Sequence, residues 1–196
     1  MKKTELFCIV DRSGSMAACL SDAQGGFNHF IAEQKQLDAP CKVQLFQFDT
    51  EYEQVRPRQK LRDVGAYTLQ PRGGTALLDA VGRTIANFTP KKDRNVIVVI
   101  VTDGEENSSR EFSKEQVKKL VTARERDGWS FVFIGAGIDA FAEAGGIGIS
   151  VHATLQASNS PRGYQTSYAA AAQAVRRARS AGAPVQFTEE ERESVK

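Results

Sequence analysis

The chain has 196 residues, of which 41% are hydrophobic and 26% charged, and its formal net charge is +2. That length supports one sizeable core, and the composition excludes a disordered or low-complexity chain. The near-neutral balance makes no case for a nucleic-acid binder, for which a clustered basic face is expected.

The start Met1-Lys2-Lys3 is basic, but Glu5 follows and the apolar run is only Leu6 to Val10. That is too short for a secretory leader, and no stretch approaches the length of a membrane span, so a cytoplasmic protein is expected. Thr4 to Val10 reads as a first strand, and its continuous apolar character suits a parallel sheet buried on both faces. Met16 to about Leu37 reads as a long helix, with Leu20, Ala23, Phe27, Phe30, Ile31 and Gln34 near helical spacing. Val43 to Phe48 is a second strand. Asp49-Thr50-Glu51 is a hairpin turn into Tyr52 to Arg56, and Pro57 marks that third strand as an edge. Residues 59–74 read mostly as loop.

Ala76 to Phe88 is a helix closed by Thr89-Pro90, and Val96 to Val101 is a second fully apolar strand. A polar loop from Gly104 to Arg110 follows. Ser113 and Gln116 predict a capping box, with Phe112 and Val117 at the staple positions, and Gly128 ends that helix. Phe131 to Ile134 is a strand, Asp139 to Ala144 a short helix and Ile147 to Val151 a short final strand. An alanine-rich helix runs from Arg162 to Ala181, stopped by Gly182 and Pro184. Residues 1–183 therefore form one domain, and residues 184–196 an acidic tail expected to be mobile. Alternating strand and helix signals predict an α/β fold: a doubly wound, mostly parallel central sheet with one antiparallel edge strand and helices on both faces.

Three short segments carry the chemistry. Asp11-Arg12-Ser13-Gly14-Ser15 places a carboxylate and two hydroxyls at alternate positions where the first strand ends. Arg72-Gly73-Gly74-Thr75-Ala76 delivers a hydroxyl at a helix start, and the fourth strand ends in Thr102-Asp103-Gly104. Hard divalent cations take oxygen ligands of this kind, and ligands of open α/β sheets bind outside the carboxyl ends of the strands. Each segment also has a plainer reading: a capping serine, a capping Thr75 and a turn at Asp103.

Asp-x-Ser-x-Ser, Gly-Gly-Thr and Thr-Asp-Gly, in that order, resemble the metal-ion-dependent adhesion site of von Willebrand factor A domains. The resemblance spans roughly residues 4 to 180, and its wording (DRSGSM, PRGGTALLDA, TDGEENSS) is most similar to small stand-alone bacterial and phage members. It implies a Rossmann-like fold and one Mg²⁺ or Mn²⁺ ion held by Asp11, Ser13, Ser15, Thr75 and Asp103. Gly74, Asp79, Gly104 and Glu105 would surround those ligands. Asp79 would either orient them or be satisfied as an ordinary polar residue near a helix start. It further implies a protein partner that supplies a Glu or Asp to the ion, with Thr75 as the ligand that changes between affinity states. Where some A domains carry carboxylates for an adjacent cation, this chain has Ala17-Ala18-Cys19, so no adjacent second ion is expected. Asp22 is expected to face solvent, and Glu105, Glu106 and Asn107 to form a solvated rim.

The remaining signals are weaker. Cys8, Cys19 and Cys41 are odd in number and lack metal spacing, so they read as small buried hydrophobes in a reducing compartment. Gly135-Ala136-Gly137-Ile138-Asp139-Ala140 matches a dinucleotide fingerprint, but the helix after it is too short for one. Tyr164, Tyr168, Ala171, Val175 and Ala178 read as a stripe packed on the sheet. Arg176, Arg177 and Arg179 read as a solvated face paired with the acidic tail, and His29 and His152 as structural. The expected function is a Mg²⁺-dependent protein-binding module rather than an enzyme. A metal-dependent phosphohydrolase using Asp11 or Asp103 as base, and a nucleic-acid-associated scaffold, are the alternatives.

Overall fold

The computed structural model describes residues 3–89 and 93–195, so the Met1-Lys2 start and the Pro90 helix stop lie outside the described residues. Its strands are β1 (Lys3–Asp11), β2 (Cys41–Phe48), β3 (Tyr52–Lys60), β4 (Arg94–Thr102), β5 (Ser130–Ala136) and β6 (Thr154–Ala157). They form one six-stranded sheet in the order β3-β2-β1-β4-β5-β6. Every pairing is parallel except β2 with β3, which is antiparallel. The doubly wound architecture with one antiparallel edge is thus present.

The helices are α1 (Leu20–Lys35), α2 (Leu77–Ala86), α3 (Lys114–Arg126), α4 (Ala140–Gly146), α5 (Pro161–Ala181) and α6 (Glu189–Glu193). Strand side chains alternate between the two faces of a sheet, so the continuous apolar runs divide between two cores. Leu6, Cys8 and Val10 of β1 join Ile97, Val99 and Val101 of β4 under α1 and α5. Phe7 and Ile9 join Val96, Val98 and Ile100 under α2, α3 and α4. The aromatic members of this second face stack, as Phe7 does on Trp129 at 6.1 Å.

Helix boundaries follow their capping chemistry. Ser113 and Gln116 form the capping box of α3. Ser160 accepts from the Gly163 amide to open α5, whose first residue is Pro161. Among the described residues, no helix is long and apolar enough to cross a membrane.

Several local expectations change. The segment after the first motif begins as a 3-10 turn, Gly14–Cys19, and α1 starts only at Leu20, which is itself exposed. β3 continues past Pro57 to Lys60 through irregular pairing. Residues 147–151 are not a strand. Ile147 and Ile149 are buried, but Gly148 between them has φ +88°, which breaks an extended run. The last strand forms instead at residues 154–157, against β5.

Arg179 is not solvated. Its guanidinium is buried and donates to the Gln34 backbone oxygen at 2.7 Å, Gln34 Oε1 at 3.0 Å and the Ala39 oxygen at 3.2 Å. Of its neighbours, Arg177 pairs with Glu191 of the tail as expected, whereas the half-buried Arg176 pairs with Glu33 of α1 instead. In the segment read as a mobile tail, Thr188 and Glu191 make a capping box for α6, and Phe187 and Val195 are buried.

Candidate metal centre

The strand order reverses at β1, whose neighbours are β2 on one side and β4 on the other. The crevice at such a switch point is where open α/β sheets bind ligands. Parallel pairing puts Val10 beside Val101, so Asp11 falls next to Thr102 and Asp103 lies one residue beyond. The Thr102 hydroxyl donates to Asp11 Oδ2 at 2.5 Å, and the Ser13 amide donates to Asp11 Oδ1 at 2.6 Å. Ser13 Oγ and Ser15 Oγ lie 3.0 Å apart, and Ser15 Oγ donates to Asp103 Oδ1 at 2.6 Å. Four of the five expected ligands therefore form one connected patch. Asp11, Ser13 and Asp103 are buried within it, while Ser15 faces solvent.

Thr75 arrives from the opposite rim. A Cβ on residue 104 would lie 2.5 Å from Thr75 Oγ1, so glycine at 104 is what lets Asp103 and Thr75 approach. The backbone of Thr75 is clamped by the next loop. Its amide donates to Asn107 Oδ1 at 2.9 Å, and its oxygen accepts from the Asn107 and Ser108 amides. Its side chain does not cap α2: Ala76 occupies the cap position without a side-chain bond, and the Leu78 amide donates to Glu106 Oε2.

The expected surroundings divide. Gly74 packs against the loop, since a Cβ there would meet Ser108 Oγ at 2.4 Å. Asp79 points away from the ligands and accepts from the Arg110, Glu111 and Phe112 amides at 2.8, 2.9 and 2.9 Å. Glu105 is exposed on the rim. Glu106 is a loop organiser rather than a solvated rim residue, because it accepts from the Ser108 and Ser109 amides as well as from Leu78. Asp22 is half-buried near Gln165.

Sequence reading missed three residues that hold this patch. Thr102 was visible only as a motif letter, although alternation along β4 fixes its neighbour. Asn107 clamps Thr75 across a loop, which no local spacing reveals. Asp49 ties the first two motif loops together. It accepts from Arg12 Nε at 2.8 Å, Arg72 Nε at 2.7 Å and the Glu51 amide at 2.6 Å. The Arg12 oxygen accepts from the Arg72 amide, and the Gly73 oxygen from the Gly14 amide.

The electrostatics are unbalanced. Burial pushes the Asp11 carboxyl up to about 6, against the hydrogen bonds from Thr102 and Ser13, and the nearby Asp103 charge adds to the rise. Burial also raises Asp103, partly offset by the Ser15 hydrogen bond. Asp103 Oδ2 is buried with no hydrogen-bond partner among the described residues. The Tyr164 hydroxyl donates to the Met16 sulfur at 3.7 Å, and it also lies close enough to Asp103 for hydrogen bonding to hold that carboxyl down slightly against its burial. No group of three or more His, Cys, Asp or Glu among the described residues is placed to hold a metal. An ion at this end of the sheet would therefore depend on the hydroxyls. Two carboxylates and three hydroxyls are a donor set that a hard divalent cation accepts, and an orphaned buried carboxylate oxygen is what such a cation would satisfy.

A six-stranded doubly wound sheet with an Asp-x-Ser-x-Ser, Thr, Asp crevice at its switch point defines an A-type domain. The family described as "VWA domain containing CoxE-like protein" matches residues 1–130, and the chain belongs to that family. Solved structures agree on the fold. Proximal thread matrix protein 1 from the mussel byssus is 17% identical, with a TM-score of 0.70 over 88% of this chain and 46% of its own. A form of that protein is described with a zinc-occupied MIDAS motif, at 16% identity and a TM-score of 0.66 over 86% and 46%. The vWF domain of the pilus tip protein Mfa5 from Porphyromonas gingivalis is 13% identical, with a TM-score of 0.65 over 96% and 98%. The chain thus spans about half the length of the mussel protein. No curated protein matches the sequence.

Proposed function

We propose that this chain is a Mg²⁺-dependent protein-binding module, holding one Mg²⁺ or Mn²⁺ with Asp11, Ser13, Ser15, Thr75 and Asp103. The observation that carries the reading is the buried, unpartnered Asp103 Oδ2 beside a second buried carboxylate and a chain of hydroxyls. Bound there, the ion would supply a Lewis-acidic position for a Glu or Asp of the partner. With only two carboxylates among its ligands, the ion would keep positive charge, and that charge compensates the hydration an acidic side chain loses at an interface.

The chain's own residues do the positioning. Ser13 and Thr102 hold the Asp11 carboxylate by both oxygens. Asn107 fixes the Thr75 backbone while leaving its hydroxyl uncommitted to a cap. The exposed Ser15 donates its proton to Asp103, which leaves the lone pairs of its oxygen free for an ion. The zinc-bearing mussel protein supports a metal at this position of the fold, and the pilus and byssus proteins of the same fold support a role in interaction.

Calorimetric titration with Mg²⁺ and Mn²⁺ tests the first half: one ion per chain is expected, and none for Asp103→Ala. Affinity capture in Mg²⁺, in EDTA and with Asp11→Ala tests the second half. A partner held only by the unaltered chain in Mg²⁺ is expected. A chain that binds neither ion at millimolar concentration would overturn the reading.

A further inference from the structure

Beside the candidate metal centre, the same end of the sheet opens into a groove of about 1140 Å³. The parallel register sets Thr102 beside Gly135 and Ala136 beside Ala157, so the ends of β4, β5 and β6 lie next to one another. Gly137 turns the chain there with φ +72°, and its amide donates to the Ala157 oxygen at 3.0 Å. The groove runs from Glu105, two residues past Asp103, across that turn to α6. Its far wall is a fixed element. Phe187 before α6 and Val195 after it are buried, and Arg177 pairs with Glu191 within it.

Two features of the lining are complementary to one kind of side chain. Phe141 of α4 lines the groove and stays 40% exposed, one of three large hydrophobic side chains left exposed among the described residues. Its ring offers a face for stacking. The charges are one-sided, because Glu105, Asp139, Glu189 and Glu193 line the groove against Arg192 alone. Glu105, Asp139 and Glu189 have no ion pair among the described residues. Asp139 Oδ1 accepts from the Ala142 amide at 2.9 Å, which holds that carboxylate in place. Carboxylates gathered around one cavity repel one another until a cation comes between them. A guanidinium answers both features: its plane stacks on an aromatic face, and its fork of donors pairs with carboxylates. A lysine ammonium has neither the plane nor the fork.

We propose that this groove receives an arginine of the partner, carried on the same segment that offers a Glu or Asp to the metal. This rests on the proposed metal centre and extends what is recognised from one residue of the partner to two. β4 and β6 lie two strand spacings apart, about 10 Å, so an extended segment crosses from Asp103 to the groove in roughly two to four residues. The arginine therefore stands about that far from the acid, with its apolar stem on Phe141 and its guanidinium among the carboxylates.

A displayed library of random peptides, selected on the whole chain in Mg²⁺ and in EDTA, tests it by the sequences retained. In Mg²⁺ the retained peptides should be enriched in Glu or Asp, with arginine roughly two to four positions away. In EDTA both enrichments should vanish, because exposed charge pairs alone hold a peptide weakly. Selection on the double variant Asp139→Asn, Glu189→Gln, or on Phe141→Ser, should keep the acid and lose the arginine. All three side chains are exposed, and circular dichroism verifies that the variants fold. Replacing the arginine of a retained peptide by glutamine should weaken its binding to the unaltered chain about fivefold or more, and leave its binding to the groove variants unchanged. An acid enriched without arginine, an apolar residue in its place, or an arginine that persists in the groove variants would overturn the proposal and leave the metal centre standing. Retained peptides with no enriched acid in Mg²⁺ would overturn the metal centre and this inference with it.

Discussion

Four aspartates lie toward the carboxyl end of the sheet, and they behave as two pairs. Asp49 and Asp79 are as buried as Asp11 and Asp103, yet their carboxyls titrate in the opposite direction. Burial pushes Asp49 up, but the Arg72 hydrogen bond, the Glu51 amide and the Arg12 charge outweigh it and hold the group below the usual range. Burial likewise opposes Asp79, and the amides of Arg110, Phe112 and Glu111 outweigh it. Asp11 and Asp103 have fewer fixed donors and are raised. The same side chain thus serves two purposes. Where the fold supplies donors, the carboxylate ties loops together; where it supplies fewer, burial wins and the carboxyl is raised, and Asp103 keeps one oxygen without a hydrogen-bond partner among the described residues.

Breaking the first pair should cost the most stability. Asp49→Ala would leave the Arg12 guanidinium, 7% exposed, without its 2.8 Å partner. Stranding one member of a buried ion pair costs about 3–5 kcal/mol, to be read as a lowered midpoint in urea unfolding. A loss under about 1 kcal/mol would mean that Glu53, 3.0 Å from Arg12 Nη1, suffices alone.

Asp79→Ala follows, at about 2–3 kcal/mol, because three amides of the 110–112 loop lose their acceptor but can partly turn to water. The pH dependence sharpens the contrast. With folded pKa values below 3.8, Asp49 and Asp79 contribute stability that is present above about pH 4. It is lost as pH falls further, because the unfolded chain takes up those protons first. Acid unfolding of either alanine variant should therefore be shallower than that of the unaltered chain.

The second pair should respond in reverse. In metal-free buffer Asp103→Asn should change stability by less than about 1 kcal/mol. It removes a buried charge that lacks a full set of partners and keeps an acceptor for Ser15. Its effect should appear only with Mg²⁺, which would raise the melting temperature of the unaltered chain by mass action and leave the variant where it was. Equal Mg²⁺ responses would remove the distinction between the two pairs.

The sequence was most legible where periodicity and chemistry coincide. The apolar runs 6–10 and 96–101 announced central parallel strands, and their ends placed Asp11 and Asp103 together across the switch point. Ser113 and Gln116 announced a helix start by local chemistry alone. What stayed hidden depends on contacts between distant segments. Asp79 was open to a role beside the ligands, but its true partners are amides more than thirty residues away. Arg179 looked like surface charge, and only the packing of α5 against α1 shows three acceptors beneath it. Ile147-Gly-Ile149 alternates like a strand, yet the left-handed Gly148 turns it. Thr188 and Glu191 carried a capping signature that composition masked, since an acidic tail reads as solvated until Arg177 is known to face it.

The smallest expected effect concerns the end of the sheet away from the metal centre. If Lys42 and Lys60 repel each other across the β2–β3 pair, Lys60→Glu replaces repulsion with attraction and should stabilise the chain by about 0.5 kcal/mol, the scale of a cross-strand charge pair. The gain should fade as salt screens the exposed Lys60. An unchanged stability at low salt would mean that the buried Glu5 carboxylate, which the parallel register sets beside Lys42, already offsets the repulsion. The paired lysines would then serve as an ordinary edge-strand defence against pairing with other chains.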